Sequence, residues 1–215
     1  MLSISRFIFS PFQENTYLIY DDAYCEAAVI DPGCTSEAEE NELAGFIQEK
    51  NLNIKYLINT HCHIDHIFGN AFVKGKYDPV FLAPERDLFL FDIMKEQASS
   101  FGVQMKDSPM PDELISEESP MTLGESQGRF LFTPGHSPGS HCLFFDKEKF
   151  CITGDVLFKE GIGRTDLWQG NYDELIKSIE EKLYMLPEET KIFPGHGEKS
   201  SIGYEKKHNP FVSQS

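Results

Sequence analysis

The chain has 215 residues, of which 40% are hydrophobic, and it carries a formal net charge of −16. This length and composition suit one domain with a sizeable core, so 1–215 is expected to form a single domain. The negative charge argues against a nucleic acid as partner, since phosphate backbones require a basic surface.

The start of the chain and its cysteines bear on cellular location. No apolar run is long enough to span a membrane, and residues 1–6 lack the shape of a signal peptide. The five cysteines are an odd number without framework spacing, which is typical of reduced thiols. We therefore expect a cytoplasmic protein without a membrane partner.

Hydrophobic alternation and β-branched runs predict nine strands along the chain. In order, they cover 2–10, 15–20, 26–31, 54–58, 79–83, 129–133, 141–146, 149–153 and 190–193. Capping residues and helical periodicity predict three helices, from Ser36 to about Lys50, over 85–101, and from Asn171 to before Pro187. A short helix is expected to begin at Ile67. Two groups of strands, with helices between and after them, predict two sheets packed face to face and covered by helices.

A dense group of metal-binding residue types follows the fourth predicted strand. Within six residues lie His61, His63, Asp65 and His66. Imidazole nitrogens and carboxylate oxygens are the ligands of borderline divalent metals. Alternate residues of an extended stretch point the same way, so His61, His63 and Asp65 are predicted to converge. His66 is predicted to point elsewhere, toward a second ion.

Three later strands each deliver one further candidate ligand at their end. His136 follows the sixth predicted strand, Asp155 the eighth and His196 the ninth, each directly after a glycine. Glycine lets the backbone turn sharply, and strand ends are common positions for ligand sites in layered α/β folds. A lone histidine is more often a core or surface residue, so the inference depends on the shared pattern.

These motifs resemble the metallo-β-lactamase superfamily in their order and spacing. The resemblance extends from about residue 4 to about residue 212 and is carried by Thr60–His66, Pro134–His136, Gly154–Asp155 and Pro194–Gly197. The loop 161–170 is similar to one in glyoxalase II-type thioesterases and persulfide dioxygenases, and the ending 195–211 resembles short bacterial glyoxalase II-like hydrolases. The implied fold is α/β (α+β), the four-layer αββα sandwich of this superfamily. The chain is expected to lack the C-terminal helical domain that holds much of the glutathione in long glyoxalase II enzymes.

The same resemblance implies a ligand set for two divalent metal ions. The first ion is held by His61, His63 and His136. The second is held by Asp65, His66 and His196, and Asp155 bridges both. Zinc is the expected metal from the ligand types, with iron or manganese as alternatives. Asp65 and Asp155 are the expected catalytic carboxylates, Asp65 by orienting the nucleophile.

The implied activity is that of a metal-dependent hydrolase with a small-molecule thioester as substrate. The expected substrate is a thioester such as S-(2-hydroxyacyl)glutathione (S-D-lactoylglutathione), cleaved by a metal-bridging hydroxide. Expected substrate contacts are Arg164, Asp166, Trp168 and His208. A surface salt bridge at Arg164 and a core-capping role for Trp168 are equally compatible with the sequence.

Two other functions stay open, as does the role of one cysteine. A persulfide dioxygenase would use one iron on His61, His136 and Asp155, although the Pro-Gly-His-Gly stretch around His196 has the hydrolase form. A non-catalytic scaffold is disfavoured because all seven ligand positions are filled. Cys62 is either a ligand or redox switch, or a small apolar filler, and strand alternation favours the filler.

Overall fold

The computed structural model describes residues 1–212 and divides the chain into two compact units. The first unit contains Met1–Ile115 and Thr122–Ser126, and the second contains Ser116–Met121 and the chain from Gln127 onward. The expectation of a single domain over 1–215 stays a prediction. No helix within residues 1–212 is both long enough and apolar enough to cross a membrane.

A mixed sheet forms the framework of the first unit. Its strands, in spatial as well as chain order, are β1 Leu2–Phe9, β2 Glu14–Asp21, β3 Glu26–Ile30, β4 Asn53–Ile58, β5 Val80–Pro84 and β6 Glu113–Ile115. The first three strands pair antiparallel, and β3 to β6 pair in parallel. Because β3 and β4 are parallel, the segments that begin at Asp31 and Asn59 leave the same edge of the sheet.

The helix predicted after the third strand is α1 Glu37–Glu49. Its capping box is present, since the Ser36 hydroxyl accepts the Glu39 amide at 3.3 Å and the Glu39 carboxylate accepts the Ser36 amide at 3.1 Å. Leu43 and Ile47 are buried within the core cluster of this unit. Burial stabilises each by about 1.5–3 kcal/mol, so packing fixes the helix more than its caps do.

The segment after β4 differs from the prediction. An extended stretch through Asp65 was expected, but helix α2 Ile64–Ile67 begins directly after His63 and three residues before the predicted start. The turn is stabilised by the buried side-chain amide of Asn59, which donates a hydrogen bond to the His66 carbonyl at 2.9 Å. Asp65 and His66 therefore share one helical turn, and Asp65 does not alternate with the two histidines before it.

The remaining helices of the first unit follow their neighbouring strands. Helix α3 Asn70–Tyr77 continues from α2, and its Asn70 side chain donates to Asn59 at 2.8 Å. The helix predicted over 85–101 is interrupted near its start. A 3-10 turn over Glu85–Asp87 precedes α4 Phe89–Ser100.

The second unit contains another mixed sheet and a short hairpin. The strands of the sheet are β8 Ser126–Phe132, β9 His141–Phe145, β10 Phe150–Gly154, β13 Lys191–Pro194 and β14 Ser200–Ser201, and they lie in the order β14, β13, β10, β9 and β8. Strand β7 Met121–Leu123 lies where the chain passes from the second unit back into the first. Strands β11 Leu157–Phe158 and β12 Gly161–Ile162 form the hairpin. Because β10 and β13 are parallel, the segments carrying Asp155 and His196 leave the same sheet edge.

Two helices complete the second unit. The predicted helix capped by Asn171 is α5 Tyr172–Ser178, which continues as a π-type segment Ile179–Leu183 and ends before Pro187. Helix α6 Ile202–His208 has no counterpart among the predicted elements. Leu175, Ile179 and Leu183 are buried in the core cluster of this unit. Mixed sheets with helices confirm the predicted α/β class.

Candidate metal centre

Three histidine rings of the first unit meet beyond the end of β4. The His61 ring lies 4.8 Å from the His63 ring and 4.1 Å from the His66 ring, measured between centroids. All three side chains are buried. Imidazole rings packed this closely present several ring nitrogens to one small volume, as a divalent metal requires.

Asp31, at the end of β3, organises these histidines. Its carboxylate accepts the Thr60 amide at 2.7 Å and the Thr60 hydroxyl at 2.6 Å. Because that hydroxyl gives its hydrogen to Asp31, its lone pair can accept from Nδ1 of His61 at 3.1 Å. Nε2 of His61 is then the nitrogen left for a metal.

His66 is held in the same way. Its Nδ1 lies 3.2 Å from the Asp31 carboxylate, and its Nε2 lies 3.8 Å from the Asp65 carboxylate. The ligand atoms of Asp31, His61 and His66 all fall within 4.8 Å of one another. Since Thr60 donates to both Asp31 oxygens, Asp31 is placed to orient the histidines as an outer carboxylate would, and Asp65 faces Nε2 of His66.

In the second unit, Asp155 lies between two histidines. One carboxylate oxygen, Oδ2, is 3.6 Å from Nε2 of His136 and 3.6 Å from Nε2 of His196. These distances are too long for hydrogen bonds. They suit atoms that share an ion, since each bond to zinc would be about 2.0–2.2 Å. The donor types and spacing in this unit therefore fit a metal.

The hairpin β11–β12 and the residues after it fix His136. Nδ1 of His136 donates to the Arg164 carbonyl at 2.7 Å, which leaves Nε2 facing Asp155. The backbone can approach this closely because residue 163 is glycine. A Cβ there would lie 1.8 Å from the Asp155 carbonyl and 3.0 Å from Nδ1 of His136. Gly154, with φ 48°, supplies the left-handed turn that aims Asp155.

We expect Gly163→Ala to damage this site. The added methyl must push the Asp155 backbone away, so the free energy of unfolding should fall by about 1–3 kcal/mol and zinc binding should weaken. Gly161→Ala, two residues earlier in the chain, is the matched control, since the nearest atom to its added Cβ would be in the Phe158 side chain at 3.6 Å. Urea denaturation and zinc titration measure both effects, and equal losses in the two variants would contradict the close-approach argument.

Arg164 and Asp166, two of the predicted substrate residues, pair with each other. Nε and Nη2 of Arg164 each donate to one Asp166 oxygen at 2.7 Å. Both side chains are mostly exposed, at 61% and 67%. These hydrogen bonds from Arg164 hold the pKa of Asp166 at about 2. The salt bridge that the sequence left open is thus present, and it keeps the guanidinium at the surface.

The Asp166 carboxyl should report this pairing directly. With a depressed pKa, the stabilisation is present above the unfolded value of about 3.9 and is lost as pH falls toward 2. Arg164→Ala should therefore raise the pKa from about 2 to about 4, measured by NMR titration of the Asp166 carboxyl carbon. Lys159→Ala, which removes the ion pair with Glu198, should leave that midpoint unchanged. An unmoved midpoint in Arg164→Ala would mean that another group depresses the pKa.

The other two predicted substrate residues lie at the surface of the second unit. Trp168 is 38% exposed, which does not fit a core-capping residue. His208, at the end of α6, is exposed and packs its ring 4.5 Å from that of Tyr204. Their contacts with substrate stay predictions.

Cys62 is buried in the core cluster of the first unit. Burial raises the pKa of its thiol well above the usual range, with the nearby Asp87 as the second cause. A thiol that stays protonated is neither a good metal ligand nor a reactive redox group. The environment agrees with the small apolar filler that strand alternation favours.

Three buried carboxyls near the histidines were not among the predicted site residues. They are Glu14, Asp31 and Asp87. Burial raises the pKa of the Glu14 carboxyl well above its usual range. Its oxygen lies 2.8 Å from the Thr16 hydroxyl, which is also 3.0 Å from the Asp31 carbonyl. Of the three, Asp31 could have been found, because it follows a strand end as Asp155 does.

Comparisons with known proteins agree with these features. Residues 9–196 match the family described as the metallo-beta-lactamase superfamily. The chain is 41% identical over 205 residues to hydroxyacylglutathione hydrolase GloC of Haemophilus influenzae, with 94% of each protein covered.

Solved structures give the same picture of the fold. The BLEG-1 B3 metallo-beta-lactamase has a TM-score of 0.89 and 32% identity, covering 99% of this chain and 100% of that one. The di-iron-bound form of TTHA1623 has a TM-score of 0.86 and 30% identity, covering 97% and 100%. ETHE1 from Myxococcus xanthus has a TM-score of 0.79 and 26% identity, covering 98% and 84%. Because the family match spans most of the chain, this protein belongs to the metallo-β-lactamase superfamily and has the fold of that superfamily.

Proposed function

We propose that this protein is a dinuclear metal-dependent hydrolase that cleaves a small thioester, with S-(2-hydroxyacyl)glutathione as the substrate type. The first ion would be held by His61, His63 and His136. The second would be held by Asp65, His66 and His196, with Asp155 bridging. Zinc is the metal favoured by these ligand types, and the di-iron-bound TTHA1623 supports iron as the alternative.

The observation that carries this proposal is the position of the Asp155 carboxylate. One oxygen lies 3.6 Å from the ligand nitrogen of His136 and equally far from that of His196. In the proposed ligand set these two histidines belong to different ions. A carboxylate oxygen equally distant from both nitrogens is suited to bridging, because that one oxygen could contact both ions.

The chain's own groups would supply orientation rather than covalent chemistry. When bound, the two ions would polarise the thioester carbonyl and lower the pKa of a water nucleophile. Asp65, whose side chain is 14% exposed, would accept a hydrogen bond from the attacking water and orient it toward the carbonyl. The thiolate leaves without a strong general acid, because the pKa of a thiol is only about 8.5.

The substrate class is supported by the relatives and by the exposed Arg164–Asp166 pair. The 41% identical relative is described as a hydroxyacylglutathione hydrolase. Arg164 is 61% exposed, so a carboxylate of the substrate can reach its guanidinium and compete with Asp166. Arg164→Ala should therefore affect KM more than kcat for a thioester that bears a carboxylate.

The structural similarity to ETHE1 supports testing persulfide dioxygenase activity as a second candidate function. A persulfide dioxygenase would need one iron on His61, His136 and Asp155, leaving Asp65, His66 and His196 unused. The dinuclear proposal uses all seven groups, and on that ground we favour it.

Metal content and substrate turnover test the proposal together. Protein purified without chelator should contain about two divalent ions per chain by elemental analysis. It should hydrolyse S-D-lactoylglutathione, followed by thiol release, and lose that activity on chelation. One iron per chain, with oxygen uptake on glutathione persulfide and no thiol release from the thioester, would overturn the proposal in favour of the dioxygenase.

A further inference from the structure

Asp87 is a buried carboxylate in the 3-10 turn that follows β5, and neither the proposed ligand set nor the proposed chemistry uses it. It is 0% exposed. Its Oδ2 accepts the backbone amide of Cys62 at 3.0 Å, across 25 residues of chain. Burying a carboxylate is costly unless it makes such bonds, so its presence here calls for a role.

The position of this hydrogen bond relates Asp87 to the histidines. The Cys62 amide lies between His61 and His63 in the chain. Two residues earlier, the Thr60 amide is accepted by Asp31 at 2.7 Å. Two buried carboxylates, Asp31 and Asp87, thus accept the backbone amides of the residues before and after His61. These amides lie beyond the last residue of β4, where side chains rather than a neighbouring strand supply the hydrogen-bond acceptors.

We propose that Asp87 is a positioning residue of the metal centre, which sets the backbone between His61 and His63 by accepting the Cys62 amide. The two rings are 4.8 Å apart and 89° to each other, an arrangement that a small backbone rotation would change. Metal bonds tolerate only about 0.2 Å of displacement, so ligand backbones need such support. This role rests on the metal centre of the proposed function and adds a residue to it.

Zinc affinity of the full chain tests this role. Zn²⁺ is titrated against a chromophoric chelator for the wild type, Asp87→Ala and Asp87→Asn. Asp87→Ala should weaken zinc binding by about ten- to a hundredfold, the usual cost of losing an outer-shell partner. Asp87→Asn keeps a carbonyl acceptor of the same length and should recover most of that affinity. The matched control is Asp92→Ala, an exposed carboxylate in the first turn of α4.

Unfolding measurements distinguish a role of Asp87 in positioning the zinc ligands from a general effect on the stability of the fold. The free energy of unfolding is measured by urea denaturation in excess chelator, and the loss of zinc affinity should exceed what the metal-free stability explains. Where Asp87→Ala does not fold, Asp87→Ser, whose hydroxyl is too short to reach the Cys62 amide, takes its place and should lose the same affinity.

The outcomes test the positioning role of Asp87 separately from the proposed metal centre on which it depends. A wild-type chain without affinity for zinc would overturn the metal centre itself, and this role with it. A wild type that binds zinc, with Asp87→Ala or Asp87→Ser binding equally well, would overturn the positioning role alone. Equal losses in the alanine and asparagine variants would also overturn it, because the asparagine keeps the acceptor.

Discussion

Replacing Asp155 by asparagine should abolish thioester hydrolysis. Asparagine presents one neutral oxygen and an amide nitrogen that can only donate, so it cannot replace a carboxylate between His136 and His196. We expect kcat/KM to fall by at least about a thousandfold, which corresponds to about 4 kcal/mol of lost transition-state stabilisation. Steady-state kinetics on S-D-lactoylglutathione measure the loss, and elemental analysis should show less metal per chain.

The matched control is Asp146→Asn, which changes an exposed carboxylate directly after β9 in the same unit. It should keep wild-type kinetics and metal content. Circular dichroism of both variants checks that the fold is retained. An Asp155→Asn protein with near-wild-type turnover and full metal content would refute the bridging role.

The sequence predicts much of this site because its ligands follow strands. Asp155 and His196 come after two strands that the hydrophobic pattern identifies, and those strands prove to be parallel neighbours. Because paired parallel strands end at the same edge of a sheet, the proximity of these residues can be predicted without knowing how their side chains pack. The capping box at Ser36 and the N-cap at Asn171 are equally local and are confirmed.

The parts that the sequence does not predict depend on contacts distant along the chain. Asp65 lies on a helical turn because the side-chain amide of Asn59 donates a hydrogen bond to the His66 carbonyl. The Asn59 side chain in turn accepts a hydrogen bond from Asn70. Asp87 reaches the Cys62 amide only once β5 has paired beside β4. The motif that contains Asp65 does not reveal the contact with Asn59, so local periodicity assigns Asp65 to an extended stretch. Asp87 lies in no motif, so the sequence gives it no role.

Asp31→Ala should cause a large loss of stability in the metal-free protein. Asp31 accepts two short buried hydrogen bonds from Thr60, at 2.7 Å and 2.6 Å. Each buried donor left without an acceptor costs about 1–3 kcal/mol. Asp31 also has φ 49°, a left-handed conformation that alanine adopts less readily than aspartate or asparagine. We expect the free energy of unfolding to fall by about 3–5 kcal/mol in urea denaturation.

Two companion variants identify the cause of that loss. Asp31→Asn keeps the left-handed residue and one acceptor, so it should lose less than half as much stability as Asp31→Ala, while His66 loses the carboxylate 3.2 Å from its Nδ1. Zinc affinity should therefore fall by about tenfold in Asp31→Asn even where stability is largely kept. Asp22→Ala, which removes an exposed carboxylate that accepts the Ser3 hydroxyl at 3.3 Å, should change neither quantity. If Asp31→Ala unfolds no more easily than Asp22→Ala, the buried carboxylate does not stabilise the segment that carries Thr60 and His61.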